Sequence, residues 1–163
     1  MCPRSWNQWL KASTFVLILL GAPLSAQEPK PETPQDPRFE KFQNMLSGVK
    51  LTGHFTITGQ PLDKLREETY EIRSVTKMPT GDLWLFQARI RYGEHDVTLP
   101  LPLEVKWAGE TPIITLDKVT IPGLGTFDAR VVIHDQKYAG TWKHGEVGGH
   151  LFGTIEKLQP QER

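Results

Sequence analysis

Between Val49 and Thr58 every second residue is apolar or glycine: Val49, Leu51, Gly53, Phe55 and Ile57 alternate with Lys50, Thr52, His54, Thr56 and Thr58. Successive side chains of a strand point to opposite faces, so this run predicts one buried and one wet face. The same period recurs at Val97, Leu99, Leu101, Leu103, Val105 and Trp107, interleaved with Thr98, Pro100, Pro102, Glu104 and Lys106. Both prolines fall on the polar register. Proline cannot donate to a ladder, so this strand is expected to have a free edge over part of its length, or to bend there. Further strands are predicted near 67–78, 82–92, 111–120, 126–134, 136–143 and 147–157. Short Gly-, Pro- and Asp-bearing segments such as Tyr92-Gly93-Glu94, Ala108-Gly109-Glu110 and His144-Gly145-Glu146 join them. None is long enough for a parallel crossover.

About eight short-linked, one-faced strands predict an all-β domain: an antiparallel up-and-down barrel, with a two-layer β-sandwich as the alternative. Ahead of them Phe39, Phe42, Met45 and Leu46 recur at helical spacing, predicting a short amphipathic helix that ends near Gly48 and lies over one end or face of the sheet. Residues 27–37 carry four prolines among polar neighbours and read as a solvated tail. The β-domain is then 38–158, with a disordered end at 159–163.

The first 26 residues change the picture of where the chain works. Arg4 and Lys11 give a basic start, residues 15–20 an apolar run, and Leu24-Ser25-Ala26 small residues before a cut after Ala26. That order predicts a secretory signal peptide. The apolar run falls well short of the roughly 20 residues that span a bilayer. Export to the periplasm or medium is therefore expected, with no membrane span in the mature chain. The only cysteine, Cys2, would leave with the leader, so the fold must stand without disulfides. Basic and acidic residues each number 19, and losing Arg4 and Lys11 leaves a balance of −2. A near-neutral, mixed surface lacks the basic face that nucleic acid demands.

Candidate chemistry is sparse. Trp84, Trp107, Tyr138 and Trp142 lie on the apolar register of their strands, as do Gly53, Gly140 and Gly153. An eight-stranded barrel is filled by its own side chains or holds one small ligand. The four aromatics are either the walls of an apolar ligand pocket or simply the core, with glycines receiving the rings. The five histidines show no His-x-His or His-x-x-x-His pair, so no metal site or cofactor is expected. A Gly145-Glu146 hairpin would set His144 near Val147 and His150 opposite Thr141, on opposite faces. Glu67 and Glu68 are adjacent in a strand and would not share a site. No catalytic constellation emerges, and the chain is not expected to be an enzyme.

Several segments carry a resemblance: Ile121-Pro-Gly-Leu-Gly-Thr-Phe127, Tyr138-Ala-Gly-Thr-Trp142 and Gly148-Gly-His-Leu-Phe-Gly153, with Asp82-Leu-Trp84 and Val105-Lys-Trp107-Ala-Gly109. Together they resemble an uncharacterised family of small exported β-rich proteins of planctomycete-type bacteria, over roughly 45–157. That resemblance implies no activity. Gly140-Thr-Trp142 is also similar to the Gly-x-Trp of lipocalin-like (calycin) barrels. Lipocalins carry it on the first strand and this chain on the seventh proposed one, so the likeness implies architecture alone. The expectation is an exported, non-catalytic binding module holding a small apolar ligand in the barrel. The alternative is an envelope protein–protein module that presents the edge of strand 97–107 to a partner.

Overall fold

The chain closes into an eight-stranded antiparallel barrel in which each strand pairs with the next. The computed structural model describes residues 36–159; the proposed leader, its cut after Ala26, residues 27–35 of the proposed tail and residues 160–163 lie outside the described residues. Helix α1 (Pro37–Leu46) precedes β1 (Val49–Phe55), β2 (Arg66–Lys77), β3 (Leu83–Tyr92), β4 (His95–Ala108), β5 (Thr111–Ile121), β6 (Gly125–His134), β7 (Lys137–His144) and β8 (Val147–Lys157). The ladder from Val49↔Lys157 to Phe55↔Leu151 joins β1 to β8 and decides for the barrel over the sandwich. No helix among the described residues is long and apolar enough to cross a membrane.

The hairpins follow from turn chemistry. Gly-Glu turns the chain between β3 and β4, between β4 and β5 and between β7 and β8, with the glycine at φ 52°, 62° and 60°. A left-handed residue at that position matches the twist of the flanking strands, and glycine adopts it without steric cost. Between β6 and β7, Asp135 and Gln136 hold positive φ with ordinary side chains (48° and 53°).

β4 pairs with β3 over His95–Glu104 and with β5 over Glu104–Ala108. Among the described residues His95–Leu103 thus runs with a free edge, one of the two outcomes its prolines allowed. The direction agrees as well. The Val105 N–H points to the β3 side, donating to the Asp82 carbonyl (3.0 Å), so alternate residues such as Pro100 and Pro102 face the β5 side. No donor is missing from the β3–β4 ladder.

α1 starts earlier than the spacing of its apolar residues suggests. Asp36 and Pro37, read from sequence as the end of the tail, cap and open it: the Asp36 carboxylate accepts from the Arg38 N–H (2.9 Å). A carboxylate at the cap and proline in the first turn are both favoured helix starts. Phe42 and Leu46 are fully buried beneath the helix. At its far end Lys157 donates to the Asn44 and Ser47 carbonyls (2.7 and 3.0 Å), satisfying acceptors the helix leaves open. The Ser47 hydroxyl accepts from the Val75 N–H (3.0 Å), and Leu158 N–H donates to the Gly48 carbonyl (2.9 Å). These bonds plug one end of the barrel.

Candidate functional site

The interior divides along the barrel axis. Beneath α1 rings pack on rings: Trp84 is fully buried, its ring 4.9 Å from that of Phe42 and 5.3 Å from that of Phe39, both near perpendicular, while a groove of about 390 Å³ runs beside the helix between Arg38, Met45 and Trp107 and the β6–β7 turn at His134 and Asp135. Trp107 stands beside Phe42 (5.7 Å) and under the Arg38 guanidinium (4.9 Å). Among the described residues Trp84 Nε1 is the buried side-chain polar atom left without a partner. Toward the other end an apolar cavity of about 170 Å³ opens among Leu51, Ile72, Phe86, Ile90, Leu101, Leu116, Ile121 and neighbours. A cavity of about 150 Å³ with such a lining stays dry and accepts a benzene-sized molecule.

Nearer the mouth a second chamber, about 90 Å³, is bounded by Phe55, Glu68, Tyr70, Tyr92, Phe127, Trp142 and Leu151. It shares Tyr70, Tyr92, Phe127, Trp142 and Leu151 with the deeper cavity. Phe55 meets Trp142 and Tyr92 edge-on at 5.6 and 6.3 Å. Trp142 is fixed by donating from Nε1 to the Thr56 carbonyl (3.2 Å).

Glu68 is the carboxyl group of this chamber, and only 4% of it is exposed. Its Oε2 accepts from the Tyr70 hydroxyl (2.8 Å) and its Oε1 from the Tyr138 hydroxyl (2.9 Å). Register explains how a tyrosine three strands away reaches it. Tyr138 pairs with Gly153, Gly153 with Gly53, and Gly53 with Glu68. The ring crosses the two glycines: a Cβ on Gly53 would lie 2.4 Å from the Tyr138 hydroxyl, and one on Gly153 would lie 2.7 Å from its ring. Gly53 and Gly153 therefore receive a ring, as the core reading of these glycines expected. Gly140 does not: its Cβ would strike the Arg130 carbonyl at 1.8 Å, a close approach of two backbones.

Burial pushes the Glu68 carboxyl above its usual range, against the two tyrosine hydrogen bonds that favour its charge. Burial, and next the Glu68 charge, push the Tyr138 and Tyr70 hydroxyls well up. Both tyrosines are therefore fixed donors. Among the described residues Glu68 has no ion-pair partner, whereas on the outer face Arg89–Asp96, Arg91–Glu71 and Arg130–Asp117 are paired at 2.6 Å each.

The four aromatics singled out from sequence fall into two pairs. Tyr138 and Trp142 line the cavity; Trp84 and Trp107 do not, being packed against α1. His144 lies beside Val147 and His150 opposite Thr141, in the expected register. Glu67 is exposed and Glu68 buried, so the two carboxylates do face opposite ways. The consequence missed was that Glu68 then shares the inner register with Tyr70 and Ile72. Phe55, Tyr92 and Phe127 were also visible on that register. No protein-family model matches the chain, and no curated protein matches its sequence.

Proposed function

We propose that the protein is an exported, non-catalytic binding module that holds a small, largely apolar ligand inside the barrel. The observation carrying this reading is the apolar cavity of about 170 Å³ beside an aromatic chamber at the end that α1 leaves open. Well-formed apolar pockets with few polar groups are the usual form of small-molecule sites. The non-catalytic part is supported by Glu68, whose two oxygens are both held by tyrosine hydroxyls, a fixed acceptor rather than a free base. Export is supported by the leader-like order of residues 1–26. The mature protein is expected to begin at Gln27 when recovered outside the cytoplasm. An intact Met1 in that fraction would remove the leader.

Titration with an apolar fluorescent probe tests the binding reading. Saturable one-to-one binding, with a change in tryptophan emission that Trp142→Phe abolishes, is expected. No saturable binding to the folded protein would overturn it. The second reading, an envelope interaction module that adds a strand to β4, has the free edge of His95–Leu103 in its favour. Pro100 and Pro102 strip two donors from that edge, a common way of discouraging strand addition. The pocket is therefore preferred. A stable dimer on size exclusion together with absent probe binding would reverse that preference.

A further inference from the structure

The mouth chamber combines two properties that a purely apolar ligand does not need. Its walls include the rings of Phe55, Tyr70, Tyr92, Phe127 and Trp142, and a carboxylate, Glu68, stands in the same enclosure. Aromatic faces carry negative partial charge and attract cations, most strongly where water is excluded. A buried carboxylate is costly unless it is paired. Glu68 has two hydroxyl donors but, among the described residues, no cation. Each of its oxygens keeps a lone pair beyond the one its tyrosine uses.

We propose that this chamber recognises an alkylated ammonium group, the ligand being an amphipathic amine with its head among these rings beside Glu68 and its apolar tail in the deeper cavity. The inference rests on the binding reading above and adds the chemistry of the head group. A tertiary or quaternary ammonium fits better than a primary one. A primary ammonium brings three N–H donors that need acceptors converging on one point, whereas the chamber is walled mostly by ring carbon. An alkylated head instead offers C–H surface carrying diffuse positive charge, which aromatic faces accept. An anionic head would meet Glu68 at close range. The outer rim carries both signs (Arg66, Glu67, Arg91, Glu94), so discrimination by charge must arise inside the chamber.

The test compares three soluble hexyl compounds on the wild-type protein by calorimetry: hexyltrimethylammonium, 1-hexanol and hexane-1-sulfonate. The cation is expected to bind roughly tenfold or more tighter than the alcohol, and the sulfonate not measurably. Glu68→Gln, nearly the same shape without the charge, is expected to bring cation and alcohol to similar affinity. Tyr138→Phe should weaken the cation less, because Glu68 stays in place. If the alcohol binds wild type as tightly as the cation, the head-group inference fails while the pocket reading stands. If neither these compounds nor the apolar probe binds, the pocket reading fails with it. Because the main comparison uses wild-type protein, a poorly folding variant cannot blur it.

Discussion

At one end of the barrel Trp84 and Trp107 meet Phe39 and Phe42 of α1; at the other, Trp142, Tyr92, Phe127 and Phe55 stand around Glu68 with no helix among the described residues over them. The residue types are nearly the same. What separates the ends is coverage. The plugged end buries Trp84, Phe42 and Leu46 against one another from within the chain, and Lys157 closes carbonyls at the end of α1. Among the described residues the open end leaves aromatic area and a buried carboxylate without equivalent partners. Aromatic content marks where burial energy is available, and only the tertiary arrangement says whether the chain or a ligand takes it up.

Truncation should separate the two ends most sharply. Trp84→Ala removes a fully buried ring from the plug and is expected to cost about 3–5 kcal/mol in urea denaturation. Trp142→Ala removes a half-buried ring from the mouth and should cost roughly 1–2 kcal/mol while abolishing probe binding. Equal losses of stability would mean the mouth is part of the core, and the contrast would collapse. Between these lies the glycine row. A methyl at Gly53 would sit 2.1 Å from the Phe152 carbonyl and 2.4 Å from the Tyr138 hydroxyl, and a backbone oxygen has little room to give. Gly53→Ala should cost about 1–3 kcal/mol and break the Tyr138–Glu68 bond. A Gly53→Ala variant with wild-type stability and unchanged cation preference would show that the row does not position the carboxylate.

Much of this was legible in the sequence. Period-two alternation and short turns set the eight strands, and Pro100 and Pro102 on the polar register announced the edge that β5 leaves free. The split between Trp84 and Trp142 was not legible. Both occupy inward positions of amphipathic strands, and what distinguishes them is which end of the barrel α1 covers, a non-local event. Glu68 was partly legible. Alternation separated it from Glu67 without saying which of the two turned inward, and its tyrosine partner from β7 depends on the Tyr138–Gly153–Gly53–Glu68 register across four strands, which local sequence does not state.

The smallest effect is the most specific. Burial raises the Glu68 carboxyl in the folded protein, so between the ordinary glutamate range and that raised value the native state holds a proton the unfolded chain has lost. Stability therefore falls as pH rises through this window, and above it the loss is complete. Tyr70 and Tyr138, the titratable groups bonded to it, are both pushed upward and stay neutral throughout. An amide in place of the carboxyl has no such proton to lose. The Glu68→Gln variant should match wild type within about 1 kcal/mol in acid, where both side chains are neutral. Its advantage should then grow as pH rises and level off once Glu68 is ionised. Thermal melts at closely spaced pH values read this directly, because only the difference between the two curves matters. Parallel curves would mean that the carboxylate is compensated in the folded state after all. A widening gap that closes when hexyltrimethylammonium is added to wild type would tie the stability penalty at the open end to the cation that relieves it.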